Sequence, residues 1–250
     1  MSSKRYIAIS LKKLFIEMME LCCAEIPRVQ AGNCFSVWEI LSAIDELESA
    51  RAIDDETLSR WKGYIASLDP SVAYEIYATS PTDKVKNWAM FAALSEFFRK
   101  ERGLGGSDEW IDTQIATQLA LLDENGMYMD GEEDVHHPMV YDLVARGLMS
   151  LLLHFGYTGR HYSAINTALK NAGAVTLKMQ SPSGEAAFGG RSNQFIHNEA
   201  WLTIIYEYEA KRYMREGDDS LAREYRSAAL RAIASIEEWL CADPIYHIKN

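Results

Sequence analysis

The chain has 250 residues, 48% of them hydrophobic, and a formal net charge of -11 at pH 7. This length and composition support one large hydrophobic core, so we expect residues 1–250 to form a single domain. The negative charge repels phosphate backbones and no run of five basic residues offsets it, which argues against nucleic acid as a partner.

The first predicted helix, at about residues 9–26, lies in an N-terminal segment too polar to be a signal peptide. Lys12, Lys13 and Glu17 interrupt its apolar run. No other segment reaches the roughly 18 uninterrupted apolar residues of a membrane helix. We therefore expect a cytoplasmic protein without membrane contact. The four cysteines have neither zinc-site nor disulfide-framework spacing, and we assign the chain no metal and no cofactor.

Apolar residues recur every three or four positions through most of the chain, whereas β-branched runs are scarce and only six prolines occur. This periodicity predicts an all-α protein. Glycine-containing segments separate the later helices, as expected where helices end in a left-handed residue. The predicted helices span about residues 9–26, 36–50, 55–67, 84–102, 108–122, 138–155, 160–179, 192–215 and 219–241.

Three apolar helices recur at intervals of about 50 residues, beginning near Asn87, His137 and residue 192. A loop and a more polar, amphipathic helix follow each of them. Such repeated helical hairpins predict an inner layer of apolar helices backed by an outer layer, as in solenoids or (α/α) toroids. About four or five hairpins fit in this length, so we expect a partial or incomplete toroid.

Residues 181–202, SPSGEAAFGGRSNQFIHNEAWL, begin as a glycine-rich loop and end as the eighth predicted helix. Capping of the helix by Ser192 or Asn193 explains some of its polar residues but not all of them. We expect this polar cluster to line the mouth of a pocket, where free backbone N–H groups also favour an anionic ligand. The cluster consists of Arg191, Asn193, Gln194, His197, Asn198 and Glu199.

One row along this helix contains Asn193, His197, Trp201, Ile204 and Tyr208, at intervals of three and four residues. The row is polar at its start and apolar afterwards. We therefore expect its first turn to reach a cavity and its later turns to enter the core.

Polar groups also occur at the start of the other two apolar helices. His137 and Tyr141 are four residues apart and share a face of the helix beginning near Pro138, and Asn87 and Trp88 begin the earlier helix. Taken singly, a tyrosine on such a helix is more often a core residue, and a histidine before proline is more often a loop residue. Their recurrence at the same end of successive hairpins favours a shared pocket.

The quoted segment, together with DENGMYMD and HHPMVYDLVARGLMSLLLHFGYTG, covers much of residues 123–202. These segments resemble a group of bacterial proteins with an (α/α) toroid domain, which is similar to heparinase II/III-like polysaccharide lyases and other toroid glycan-degrading enzymes. In such proteins the chain continues through further helices and often a β-rich domain. The resemblance therefore implies either a missing C-terminal domain or a shortened member of the group.

The resemblance implies β-elimination on an oligo- or polysaccharide that contains uronic acid. The C5 proton of a uronic acid is weakly acidic, so the neighbouring carboxylate must be countered before a base can remove that proton. Tyr141 and His197 are the implied catalytic base and acid. The implied substrate-binding residues are Asn87, Trp88, His137, Arg191, Asn193 and Gln194.

Two other functions stay open. A glycoside hydrolase would use paired carboxylates, for which Asp123, Asp142 and Glu199 are the candidates. A non-catalytic helical scaffold would bind a partner, since a partial toroid leaves an apolar edge for another domain or a second copy of the chain to cover.

Overall fold

A computed structural model of the chain describes residues 3–28, 33–130, 139–187, 189 and 195–239. Within these ranges the protein is all-helical: it has ten α-helices and a short 3-10 turn at Asn33–Phe35, and it contains no strand beyond an isolated bridge between Leu122 and Tyr128. The all-α prediction is thereby confirmed. Among the described residues, no helix combines the length and hydrophobicity needed to cross a membrane.

The ten helices follow the predicted order closely, with short differences at their ends. The bounds are α1 (Ser3–Glu25), α2 (Val37–Ser49), α3 (Asp55–Ala66), α4 (Pro70–Ala73), α5 (Trp88–Glu101), α6 (Asp108–Leu119), α7 (Met139–His154), α8 (Tyr162–Met179), α9 (His197–Glu216) and α10 (Asp219–Glu237).

Two differences from the predicted helices have clear physical causes. The one-turn helix α4 is absent from the prediction because four residues show no periodicity, yet Pro70 at its start and the Asp69 carboxylate, which accepts from the Ser71 N–H, stabilise it. Helix α9 begins at His197, later than the predicted residue 192, because Phe195 and Ile196 are not helical.

The chain divides into two compact units. Unit 1 contains residues 1–77 and 91–111, and unit 2 contains residues 78–90 and 112–250. The expectation of a single domain stays a prediction.

Unit 1 contains a buried polar cluster among its apolar residues. The Glu96 carboxylate accepts a hydrogen bond of 2.5 Å from the Tyr74 hydroxyl and two from Arg99, at 2.7 and 2.8 Å. The Arg99 guanidinium also donates to the carbonyl oxygen of Leu68 at 3.0 Å. Burial and the nearby Glu96 carboxylate raise the pKa of Tyr74, which keeps its hydroxyl protonated as a donor. The cluster therefore joins the segment that contains α4 to helix α5.

In unit 2, α7 is buried along most of its length and runs parallel to α9. A Cβ on Gly147 would lie 2.5 Å from Cε3 of Trp201, so the middle of α7 approaches the second turn of α9 closely. Further along, His154 lies beside Lys211, in a groove lined by both helices. Because both contacts advance in the same direction along the two helices, α7 and α9 are parallel.

Helices α8 and α10 run antiparallel to α9. Against α8, the Tyr206 hydroxyl donates to the Thr176 carbonyl oxygen at 2.9 Å, and Glu216 pairs with Lys170 at 2.8 Å. Against α10, the ring of Tyr213 stacks on Tyr225 with centroids 5.5 Å apart. The core between these helices consists of Leu143, Leu202, Ile205, Tyr206, Ala210, Tyr213, Ala222, Tyr225, Ala228, Ala229 and Ala232.

The turn between α6 and α7 packs directly on α8. The Asp123 carboxylate accepts from the backbone N–H groups of Asn125 and Met127, and Gly126 has a positive φ of 78°. A Cβ on Gly126 would lie 2.5 Å from the backbone oxygen of Ala168. Only glycine satisfies both the conformation and the close approach. The turn at residues 123–127 is therefore held against α8.

Substitution of Gly126 by alanine tests this packing against a matched control. Gly217, the residue that ends α9, has a similar φ of 81°, but no atom lies within 4 Å of the position that an added Cβ would take. Gly217→Ala should lower the free energy of unfolding by about 1 kcal/mol through backbone strain alone. Gly126→Ala should lower it by about 3 kcal/mol, because a clash with backbone adds to that strain. Urea unfolding measures both, and equal losses would contradict the close contact.

Candidate functional site

The segment between α8 and α9 connects the first turns of α7 and α9. The backbone N–H of Met139, the first residue of α7, donates to the carbonyl oxygen of Gly189 at 3.2 Å. The backbone N–H of Ala186 donates to the Glu199 carboxylate, in the first turn of α9, at 3.1 Å. Because α7 and α9 are parallel, Tyr141 and His197 lie at the same end of unit 2. We call this end the amino-terminal mouth.

The base of the connecting segment is fixed to α10. The Gln180 side-chain amide donates to the carbonyl oxygens of Gly184 and Ala228, both at 3.0 Å. Its own oxygen accepts from the Arg231 guanidinium at 3.0 Å. These bonds fix the start of the segment, at Gln180 and Gly184, to α10.

The two predicted catalytic residues are both accessible. Tyr141 is half-buried on α7, and His197 is exposed at the start of α9, where its ring stacks on Phe195 with centroids 5.1 Å apart. Partial burial lowers the pKa of His197 from its ordinary value, because it disfavours the cation, while the nearby Glu199 carboxylate opposes this shift. The His197 imidazole is therefore mainly neutral at pH 7 and able to accept a proton.

Two of the predicted carboxylates have structural partners. Asp142 is 2% exposed, and its Oδ1 accepts from the backbone N–H of Tyr128 at 2.7 Å and from Arg146 Nε at 2.8 Å. Glu199, also 2% exposed, accepts from Ala186. Arg146 is fully buried, pairs with Asp142 through a second nitrogen and donates to the Thr176 hydroxyl at 2.8 Å. These contacts tie α7 to α8 and to the turn before α7.

Asn87 is connected to the mouth through the segment that carries Tyr128. The backbone N–H of Asn87 donates to the Asp130 carboxylate at 2.9 Å, and the Tyr128 hydroxyl donates to the same oxygen at 3.1 Å. Burial and the nearby Asp130 charge raise the pKa of Tyr128, so its hydroxyl remains a donor. The Asn87 side chain is buried and Trp88 is half-buried. The Asn87 backbone is thus linked to Asp142 on α7 by one hydrogen-bond network.

Several of the predicted site residues lie outside the described residues, namely His137, Arg191, Asn193 and Gln194. The predicted row along α9 needs a correction. Trp201, Ile204 and Tyr208 are half-buried. Trp201 packs against Gly147 of α7 and against the core, whereas Ile204 and Tyr208 line a groove with α7 and do not enter the core. The core face of α9 is instead the row containing Leu202, Ile205, Tyr206, Ala210 and Tyr213, because α8 and α10 both pack on that side.

A buried ion pair on α9 is missing from the sequence-based prediction. Glu209 is fully buried and Arg212 is 6% exposed, with a guanidinium nitrogen 3.1 Å from a Glu209 oxygen. Neither Glu209 oxygen has a hydrogen-bond donor within the described part of the chain. The sequence does carry a signal for this pair. Ile205, Glu209 and Tyr213 are spaced four residues apart, which places the Glu209 carboxylate on the apolar face of the helix.

No family model, curated protein or solved structure matches this chain. The resemblance to toroid lyases therefore stays a prediction based on the quoted segments. Within the described ranges, no group of three or more His, Cys, Asp or Glu residues is arranged to hold a metal ion.

Burial of Glu209 gives the protein a specific pH dependence. Desolvation raises the pKa of Glu209 to about 7, although the nearby cations Arg212, Arg146 and Lys170 oppose the shift. In the unfolded chain this carboxyl ionises near its ordinary value of 4.5. Between these two values the folded protein binds more protons than the unfolded chain, so the Glu209 contribution to stability falls as pH rises from about 4.5 to 7.

Glu209→Gln should remove this contribution. We expect the substitution to destabilise the protein by about 2 kcal/mol more at pH 5 than at pH 8, because only the wild type gains stability from the bound proton at pH 5. Urea unfolding at both pH values measures the difference. Glu224→Gln, an exposed change on α10, should show no such difference. A Glu209→Gln effect that is the same at both pH values would contradict the raised pKa.

Proposed function

We propose that unit 2 binds a glycan containing uronic acid at its amino-terminal mouth and cleaves it by β-elimination. The observation that supports this most directly is the contact between Met139 and Gly189, together with the one between Ala186 and Glu199. These contacts bring the first turns of two parallel helices to one end of the unit. The two side chains suited to proton transfer, Tyr141 and His197, lie in these turns.

The chemistry of elimination fits the charges at this end. Removal of the C5 proton requires that the substrate carboxylate be countered, and the helix dipoles of α7 and α9 favour negative charge there. A largely neutral His197 is able to take the C5 proton, and Tyr141 is able to protonate the departing sugar oxygen. Arg191, Asn193 and Gln194 lie between Gly189 and Phe195 in sequence, and the proposal assigns them to the substrate carboxylate.

The bonds made by the acidic residues favour elimination over hydrolysis. A glycoside hydrolase needs two carboxyl groups that reach the sugar. Asp142 and Glu199 are buried and accept hydrogen bonds from backbone or arginine donors. The Asp123 carboxylate accepts hydrogen bonds within the turn at residues 123–127. Moving any of them onto a substrate would break these bonds.

The arrangement of unit 2 also supports the resemblance to toroid enzymes. Helices α7 and α9 are parallel, α7 is covered on most sides, and α8 and α10 return antiparallel with one buried stripe each. This is the alternation of inner and outer helices that a toroid requires. We propose that these hairpins form part of an (α/α) toroid and that the mouth is the glycan cleft.

Activity measurements on Tyr141→Phe and His197→Gln test the proposal. The wild type incubated with uronic-acid polymers should produce unsaturated products, detected by their ultraviolet absorbance. Each variant should lose about 10²-fold or more in kcat, because each removes a proton-transfer group. The matched changes Tyr162→Phe and His161→Gln, at the start of α8 on the opposite end of unit 2, should leave kcat unchanged.

Three outcomes would contradict the proposal. Near-normal rates in both mouth variants would remove the assigned base and acid. New reducing ends without absorbance would indicate hydrolysis. A wild type inactive on a broad panel of uronic-acid polymers would leave no support for cleavage.

A non-catalytic scaffold is the second candidate, favoured by an apolar stripe on α1 in unit 1. Five side chains on one side of α1 are between 44% and 66% exposed: Leu11, Leu14, Phe15, Met18 and Leu21. Basic residues lie toward the start of this stretch and acidic residues toward its end, at Lys12, Lys13, Glu17 and Glu25. An antiparallel second copy of α1 would therefore bring opposite charges together while covering the stripe.

Sedimentation velocity tests this surface. The wild type should dimerise as its concentration rises, and Leu14→Glu combined with Met18→Glu should keep it monomeric by placing charges in the buried stripe. Val72→Glu, a change at an equally exposed apolar residue of α4, should leave dimerisation unchanged. A wild type that stays monomeric at every concentration would remove the support for the scaffold.

A further inference from the structure

A concave site lies between α7 and α9, away from the amino-terminal mouth. It is a groove of about 200 Å³ whose walls include Leu151 of α7 with Ile204 and Tyr208 of α9. His154 and Lys211 stand at one end of it. Helix α7 rises about 20 Å between Met139 and His154, so the mouth and this end of the groove are separate sites.

The groove is apolar because its hydroxyl groups are turned toward their own helices. The Ser150 hydroxyl donates to the Arg146 carbonyl oxygen at 2.9 Å, and the Thr203 hydroxyl donates to the Glu199 carbonyl oxygen at 2.8 Å. Each of these bonds joins residues four apart in one helix, which satisfies the hydroxyl without a partner in the groove. The surface left facing the groove is therefore mainly aliphatic carbon and the Tyr208 ring.

The end of the groove carries positive charge that no acidic residue of the described ranges balances. Lys211 and Arg215 are exposed and make no ion pair or hydrogen bond within those ranges. Glu207, the acid beside the groove, is already paired with Arg226 of α10. Partial burial, with repulsion from Lys211 and Arg215, lowers the pKa of His154. Two unbalanced cations beside one groove are unusual in a chain of net charge -11.

The size of the groove limits its occupant. A protein cavity of about 150 Å³ holds a benzene molecule, so 200 Å³ accommodates one ring or a short alkyl chain. We propose that the α7/α9 groove binds a small monocarboxylate with a single apolar tail. The tail lies between Leu151, Ile204 and Tyr208, and the carboxylate meets Lys211 and Arg215. This proposal is independent of glycan cleavage, because it uses no residue of the mouth.

Calorimetric titration with three probes that share one tail tests the proposal. Octanoate, octanol and octylamine differ only in the head group, so they separate the apolar contribution from the charge. Octanoate should bind most tightly, and octanol should bind at least about fivefold more weakly. Octylamine should show no binding, because Lys211 and Arg215 repel its ammonium group.

Substitutions then locate the site. Lys211→Glu should lower the affinity for octanoate about tenfold or more and leave the affinity for octanol unchanged, since the substitution alters only the charge at the end of the groove. Lys178→Glu, at an exposed lysine of α8, is the matched control and should change neither. Ile204→Trp fills the groove and should abolish binding of both probes, with circular dichroism confirming that the variant folds.

Four results would overturn the proposal. The first is octylamine binding as tightly as octanoate, and the second is a loss of octanoate affinity in Lys178→Glu as large as that in Lys211→Glu. The third is the absence of binding by all three probes at millimolar concentration. Retained octanoate binding in a folded Ile204→Trp protein would likewise place the ligand elsewhere.

Discussion

Unit 2 depends on one buried ion pair, between Asp142 and Arg146 on α7. Burying two charges away from water is costly, and hydrogen bonds from neighbouring groups offset part of that cost. Here the backbone N–H of Tyr128 donates to Asp142 and the Thr176 hydroxyl accepts from Arg146, which fixes the turn before α7 and the face of α8 relative to α7. This arrangement also fixes the position of Tyr141 at the amino-terminal mouth, because Tyr141 immediately precedes Asp142 on the same helical turn.

The positions of the long helices could be predicted from the sequence because each one buries one face, and the residues of that face recur as apolar residues every three or four positions. Helix α4 could not be found in this way, since one turn has no period to detect. The predicted start of α9 is too early because the polar residues before His197 do not reveal where helical geometry begins. The partition into two units could not be anticipated either, because α5 and α6 each contribute residues to both units.

The candidate site could be predicted in part. The sequence places Tyr141 and His197 at the starts of successive helices, and parallel packing brings those starts to one end. It does not reveal that Asp142 and Glu199 are structural, because both accept from backbone groups more than ten residues away, and the four-residue spacing of Asp142 and Arg146 does not show that the pair is buried. Nor does it distinguish which of two neighbouring rows of α9 enters the core. That choice depends on where α8 and α10 pack, and residues along a single helix do not encode it.

The burial of Glu209 has a thermodynamic consequence beyond stability. In mildly acidic solution the folded chain holds a proton on this carboxyl that the unfolded chain releases. Denaturation therefore transfers this proton to the buffer, and the heat absorbed on melting includes the enthalpy of protonating the buffer. Scans in phosphate and in an amine buffer at the same pH would differ by an amount proportional to the net number of protons exchanged, and the change in that number caused by Glu209→Gln isolates this carboxyl.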